Sequence, residues 1–256
     1  MTRTLDRSPT LQAPRFGPLL GRMVLAGLIA GTLSGVYSLL VTERAIEPAL
    51  ELEEARAAAG GGVHDHAEEL FGRAEQLVGG FLGTLLAGVV LAVVFTGVYA
   101  LVRHRLPGRT DLARVCLLAG IGFGIFALLP ALKIPANPPA LGDPATVGTR
   151  TAIYGTVLLS GIVSAMLVAA LVSFLQSRAV SPAATATAAV GTLTLLLGTI
   201  LVLIPANPDP IAADVPAAMV WDFRVASLGQ LAVLWTTLGL AGGWLVDRLA
   251  RPPITG

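Results

Sequence analysis

Two histidines on either side of an aspartate are the clearest candidates for chemistry in this sequence. They are His64, Asp65 and His66, and two further acids, Glu68 and Glu69, follow closely. Imidazole nitrogens and carboxylate oxygens together suit borderline divalent ions such as Co²⁺, Ni²⁺ or Zn²⁺. We therefore predict a metal-binding site at these five residues. The alternative is an ordinary solvated loop.

An acidic stretch precedes these histidines. Glu47, Glu51 and Glu54 recur at helical spacing, which predicts a short surface helix. Three glycines at 60–62 then end it. The remaining histidine, His104, lies among arginines, and we interpret it as part of a basic connection.

A five-residue stretch, Ile-Pro-Ala-Asn-Pro, occurs twice, at 134–138 and at 204–208. Proline fixes its own φ and disfavours helix at the residue before it, so each copy predicts a helix end. The carbonyls freed there, with Asn137 and Asn207, are candidates to line an outer vestibule for a cation. The alternative is a rigid turn that contains asparagine.

An arginine opens the next helix after each copy, at Arg150 and Arg224, and Arg73 stands in a similar place earlier in the chain. A cation at a helix N-terminus is unfavourable because it opposes the helix dipole, so we expect another interaction to stabilise these arginines. We predict that they bridge carboxylates, with interfacial snorkelling and direct contact with the substrate as alternatives. The predicted vestibule set is Glu43, Glu47, Arg73, Lys133, Asn137, Arg150, Asn207 and Arg224.

Composition places the chain in a membrane. It has 256 residues, 54% hydrophobic and only 13% charged, whereas soluble domains are about a quarter charged. The net charge of +1 gives no reason to expect nucleic acid as a partner. Runs of about 20 apolar residues must cross lipid as helices, because their backbone groups find no water there. Six such runs, free of charged residues, occur at 23–41, 77–102, 115–132, 151–175, 179–204 and 225–246.

The basic residues predict the orientation. Eleven of the 17 lie in the tails and in the second and fourth connections, which places both termini in the cytoplasm by the positive-inside rule. We thus expect an all-α protein of the cytoplasmic (inner) membrane, with six helices arranged as three hairpins of the same orientation. The expected organisation is a cytoplasmic tail at 1–18, a single membrane domain at 19–250 and a tail at 251–256. Its outer loops are expected at 42–76, 133–150 and 205–224.

Small residues recur inside the spans, and we interpret them as helix-packing positions. Gly27, Gly31 and Gly35 make two GxxxG steps, a spacing that lets helices approach closely in lipid. Single steps occur at Gly79–Gly83, Gly120–Gly124 and Gly239–Gly243.

Motifs for common enzymes are absent from the sequence. It contains no P-loop, no H-E-x-x-H and no G-x-S-x-G, so we expect no enzymatic activity and no permanently bound cofactor. The spans also contain no acid, base or histidine, so they offer no side chains for a proton relay.

Several stretches resemble the CbtA family of predicted cobalt transporter subunits. They are Glu43 with Glu47-Pro48-Ala49 and Glu51, Arg73 with Gln76, 129–139, 142–144 leading to 150–154, and 214–216 leading to 221–224 with 226–229. Together they cover most of the chain, and Lys-Ile-Pro-Ala-Asn-Pro-Pro is the most specific of them.

The resemblance implies metal import linked to vitamin B12 synthesis, with a small single-span, His-bearing membrane subunit as partner. Some members carry a long His-rich tract in the first outer loop, which is reduced here to His64-Asp65-His66. Our first hypothesis is a subunit of a divalent metal transporter in the bilayer, with cobalt as the transported ion. A homo-oligomer is one assembly that we consider for it. The second is a non-transporting scaffold or assembly subunit for a separate metal carrier.

Overall fold

The computed structural model describes residues 15–59, 72–139, 141–209 and 211–249, and within them the chain is helical without β-strands. The helices are α1 (Phe16–Tyr37), α2 (Glu43–Ala59), α3 (Arg73–Val102), α4 (Asp111–Phe123), α5 (Leu129–Lys133), α6 (Val147–Ser177), α7 (Pro182–Leu203) and α8 (Ala217–Asp247). The predicted all-helical class is confirmed.

Six helical segments are long and apolar enough to cross a membrane, which confirms the predicted number of spans. Many large apolar side chains on them are exposed, including Leu101, Leu195 and Val202 at 70% or more. Exposing this apolar surface to water would be unfavourable in proportion to its area, whereas contact with lipid tails carries no such cost.

Two π-helical turns interrupt the spans. One, Ser38–Thr42, joins α1 to α2, and the other, Gly124–Leu128, joins α4 to α5. The third predicted span is therefore composite and runs from Asp111 to Lys133. π-turns occur frequently at functional sites.

Proline sets two helix ends as the sequence predicts. α5 ends at Lys133 and α7 at Leu203, each immediately before an Ile-Pro-Ala-Asn-Pro stretch. The fifth span begins slightly later than expected, at Pro182, because the Ser181 side chain caps the helix by accepting a hydrogen bond from the Ala184 N–H at 3.3 Å.

The chain divides into two compact units. Unit 1 comprises the described parts of Met1–Gly35, Gly79–Gly120 and Val233–Gly256, and unit 2 those of Val36–Val78 and Ile121–Ala232. In unit 2, α6 packs along α7, and Leu129, Ile153, Val157 and Ile200 form a buried cluster.

Glycines allow α1 and α3 to approach closely within unit 1. A Cβ added at Gly27 would lie 2.6 Å from the Gly88 carbonyl oxygen, and one at Gly31 would lie 2.8 Å from the Leu85 Cα. The packing interpretation is confirmed for α1 and also for α8, where Gly239 and Gly243 lie against α4. For the other two GxxxG steps the packing interpretation is wrong within this chain. A Cβ added at any of their glycines would meet nothing within 4 Å; these are Gly79, Gly83, Gly120 and Gly124.

Replacing Gly88 by alanine should therefore destabilise the protein. The new Cβ would lie 2.5 Å from the Gly27 carbonyl oxygen, and overpacking of this kind costs about 1–3 kcal/mol. Thermal unfolding of the purified protein in detergent measures the effect.

The matched control is Gly97→Ala in the same helix, where the added Cβ meets open space. It should leave stability unchanged or raise it, because alanine is favoured over glycine in helices by roughly 1 kcal/mol. Equal losses in the two variants would contradict the close approach.

Candidate functional site

The five predicted metal ligands, His64, Asp65, His66, Glu68 and Glu69, lie outside the described residues. Among the residues that the structure does describe, no group of three or more His, Cys, Asp or Glu side chains is placed to hold a metal ion. The metal site therefore stays a prediction from the sequence, and the structure describes the residues on either side of it.

Ion pairs hold both flanks of this segment within unit 2. The Arg56 guanidinium, near the end of α2, donates from Nε and Nη2 to Asp214 Oδ2 at 3.1 and 2.7 Å. At the start of α3, Arg73 Nη2 donates to Glu43 Oε2 at 2.6 Å. These contacts tie α2 to the connection before α8 and tie the start of α3 to the start of α2.

The Arg56 guanidinium also lowers the pKa of Asp214, mainly through these hydrogen bonds. Since the folded pKa lies below the unfolded one, the pair stabilises the protein above the unfolded value and loses that effect as the pH falls through the folded value. Both side chains are substantially exposed, so solvent screening keeps the contribution small.

Proline chemistry explains the contact of Lys133. Pro205 has no N–H, so it cannot donate a helical hydrogen bond to the Leu201 carbonyl four residues earlier. Lys133 Nζ donates to that carbonyl oxygen instead, at 2.8 Å. The Lys133 ammonium group thus binds one of the freed carbonyl oxygens that we predicted, from the sequence, to line a vestibule for a cation.

Arg224 makes the equivalent contact with the first Pro-Ala-Asn-Pro stretch. Its Nε donates to the Ala136 carbonyl oxygen at 3.0 Å, and its Nη2 donates to Asn137 Oδ1 at 2.9 Å. The partner of Arg224 is therefore an amide and a carbonyl rather than a carboxylate.

Arg150, which follows the first stretch in the chain, binds the residue just after the second stretch, Asp209. Its Nη1 lies 3.1 Å from Asp209 Oδ2, and the Asp209 side chain is only 1% exposed. The Thr146 hydroxyl also donates to the Asp209 carboxylate, and the Asp209 N–H donates to Asn207 Oδ1 at 3.1 Å. The nearby Asp143 contributes its backbone carbonyl to Arg150, at 3.3 Å.

The arginine that follows each repeat copy thus binds the loop of the other copy. We call this set, Lys133, Asn137, Thr146, Arg150, Asp209 and Arg224, the loop clasp. Three of its members are cations and one is a carboxylate, so its own charges oppose the entry of a divalent cation. The clasp is suited to holding the connections together. The side-chain amide oxygens of Asn137 and Asn207 already accept hydrogen bonds from the protein.

Beside α2 and α8, unit 2 has an open groove of about 440 Å³. Tyr37, Arg44 and Asp222 are its polar lining residues. Close by in the sequence, Thr42 in the first π-turn donates to Gln230 Oε1 at 3.1 Å. Glu47 is exposed on α2. The sequence alone does not indicate the contact between Gln230 and Thr42.

Substitution of Asp209 tests the clasp. We expect Asp209→Asn to lower the free energy of unfolding by about 2–3 kcal/mol, slightly below the usual loss for a broken buried pair because Arg150 is partly exposed. Thermal unfolding of the purified chain measures this loss. Asp222→Asn is the matched control, since Asp222 is exposed and should shift stability by no more than about 0.5 kcal/mol. Equal effects would contradict the role of the pair.

The Arg56–Asp214 pair gives a prediction on titration. Carboxyl ¹³C chemical shifts should show Asp214 titrating below the ordinary range for aspartate, and Arg56→Gln should return the pKa towards that range. An unchanged titration in Arg56→Gln would show that the guanidinium is not its cause.

The family model for "Probable cobalt transporter subunit (CbtA)" matches residues 16–247, nearly the whole chain. Comparison with curated proteins and with solved structures gave no match. The matched region includes all six candidate spans, the loop clasp and the segment that carries the predicted metal ligands. The chain therefore belongs to the CbtA family of probable cobalt transporter subunits.

Proposed function

We propose that this chain is the membrane subunit of a divalent metal uptake transporter that carries cobalt and captures the ion at His64, Asp65 and His66. Glu68 and Glu69 complete the ligand set. Family membership over residues 16–247 is the observation that carries the proposal. The ligand types support it, because imidazole and carboxylate together suit Co²⁺.

The charge of α2 supports capture beside this helix. α2 contains five glutamates and two arginines, and Glu51, Glu53 and Glu54 are exposed. A surface of one sign raises the local concentration of an ion of the other sign. The ion is therefore concentrated next to the segment that follows α2, where the His pair lies in the sequence.

The loop clasp has a different role in this proposal. Its cations occupy the freed carbonyl of Leu201 and the oxygens of Ala136 and Asn137, so it holds the connections in place and does not itself bind the metal. In this proposal, the loop clasp stabilises the connections. Both termini lie in the cytoplasm, and these connections lie on the outer side of the inner membrane.

A specific observation favours a second candidate, a non-transporting scaffold. The six apolar runs contain no acid, base or histidine, so a fully charged ion would cross them without a charged side chain as partner. The word "subunit" in the family description implies a partner in a complex. In this second proposal, a small single-span His-bearing protein carries the ion, and this chain serves as the scaffold on which that protein assembles.

Cobalt uptake separates the two candidates. Cells that lack their own importers would express this chain with and without the small partner, and radiolabelled cobalt would be counted. We expect uptake with the chain present, and substitution of both histidines, His64→Ala with His66→Ala, to reduce it at low cobalt only, because capture limits uptake there.

The matched control is His104→Ala, which removes the third histidine of the chain and should leave uptake unchanged. Unchanged uptake in the double variant at low cobalt would exclude the capture role. No uptake by the chain alone, together with its co-purification with the small partner, would favour the scaffold.

A further inference from the structure

The open groove of unit 2, between the α1–α2 junction and α8, is not used by the proposed function. Two contacts between these segments hold it at either end. At one end, Gly229 leaves room for the Tyr37 hydroxyl, which an added Cβ would overlap. At the other end, Ala49 of α2 and Met219 of α8 belong to one buried cluster. The groove is thus a concave surface that the fold itself maintains.

Both walls of the groove change from apolar to charged in the same direction. Leu40 and Val41 line one wall and Val225 lines the other, and they are 56%, 40% and 50% exposed. Arg44 follows Val41 by three residues, and Asp222 precedes Val225 by three. Each wall therefore passes from a charge-free run to a charged residue, as expected where lipid tails meet headgroups.

The two charged residues of the groove have opposite signs and face it from opposite walls. Arg44 and Asp222 both line the groove and are exposed. Among the residues that the structure describes, neither forms an ion pair or a side-chain hydrogen bond. A ligand with one charge would be repelled by one of these two groups. The groove is therefore complementary to a ligand that carries both a negative and a positive charge.

Acceptors for the positive charge lie on the side of the groove away from the apolar walls. Pro48 has no N–H, so it cannot donate a helical hydrogen bond to the Arg44 carbonyl four residues earlier. An adjoining depression shares Pro48 and Asp222 with the groove and adds Glu51 to its lining. Glu51 lies two helical turns beyond Arg44 along α2, or about 10 Å. The order along the groove is thus apolar wall, guanidinium and then carboxylates.

This order matches a phospholipid with an amine in its headgroup. The acyl chain meets the apolar walls, the phosphate meets a guanidinium, and the amine extends beyond the phosphate. Trp221 also lines the groove and is 66% exposed, and tryptophan is enriched at the level of lipid headgroups. An ammonium group with N–H donors can bind a carboxylate by charge-assisted hydrogen bonds, which favours ethanolamine over choline.

We infer that the groove binds phosphatidylethanolamine. The lipid phosphate contacts the Arg44 guanidinium, and its ammonium group contacts the Asp222 carboxylate. The start of an acyl chain lies against Leu40, Val41 and Val225. The bound lipid fills the space between the α1–α2 junction and α8.

Native mass spectrometry of the delipidated full chain tests this site, with phosphatidylethanolamine and phosphatidylglycerol of the same acyl chains as probes. We expect phosphatidylethanolamine to bind at about threefold lower concentration, the effect of one exposed ion pair. Asp222→Asn should remove this preference, because the ammonium group loses its partner. Arg44→Gln should weaken the binding of both lipids, because both contain the phosphate.

Glu47→Gln is the matched control, since it removes an exposed carboxylate from the same helix that does not line the groove. It should retain the preference for phosphatidylethanolamine. Equal binding of the two lipids to the unsubstituted chain would overturn the inference. So would equal losses of preference in Asp222→Asn and Glu47→Gln, or unchanged binding in Arg44→Gln.

A soluble headgroup separates a lipid site from a site for any small zwitterion. Glycerophosphoethanolamine has the same charges without the acyl chains. We expect it to bind at least about tenfold more weakly than the lipid, since burial of about two methylene groups gives that factor. Equally tight binding of this headgroup would overturn the inference, because the apolar walls would then contribute nothing.

Discussion

The pairing of Arg150 with Asp209 is the contact on which the connections of unit 2 depend. The Asp209 side chain is almost completely buried, and its charge is stabilised by the Arg150 guanidinium and the Thr146 hydroxyl. Arg224 makes the reverse crossing to Ala136 and Asn137. Since each arginine binds the loop of the other repeat copy, neither connection can rearrange without breaking one of these polar contacts.

In our proposal, the residues that hold the connections together are different from those that bind the metal. Carbonyl and amide oxygens at helix ends are ordinary cation ligands, and the two Pro-Ala-Asn-Pro stretches produce them because proline removes a backbone donor. In this chain Lys133 and Arg224 already occupy those oxygens. Under the proposed function, the transported ion is therefore bound by other residues, and the His-Asp-His segment has the residue types that suit borderline divalent ions such as Co²⁺.

Some of this architecture follows directly from the sequence. The charge-free runs predict six spans because backbone N–H and C=O groups in lipid must bond to each other, as they do in a helix. The Ile-Pro-Ala-Asn-Pro stretches predict where two of these spans end. Other features depend on tertiary contacts. Asp143 stands closer to Arg150 in the chain than Asp209 does, yet the structure pairs Arg150 with the Asp209 carboxylate, and nothing local to the sequence indicates the exchange between copies. The π-turns likewise arise from packing, whereas the predicted metal ligands rest on residue type and spacing alone.

Cobalt K-edge X-ray absorption on the purified full chain with one equivalent of Co²⁺ tests the central claim most directly, since it identifies the ligand atoms around the ion. The account predicts the multiple-scattering pattern of imidazole, lost when His64 and His66 are both replaced by alanine and retained in His104→Ala. A spectrum of oxygen ligands alone, or one that is the same in the double variant, would contradict metal capture at the histidine pair.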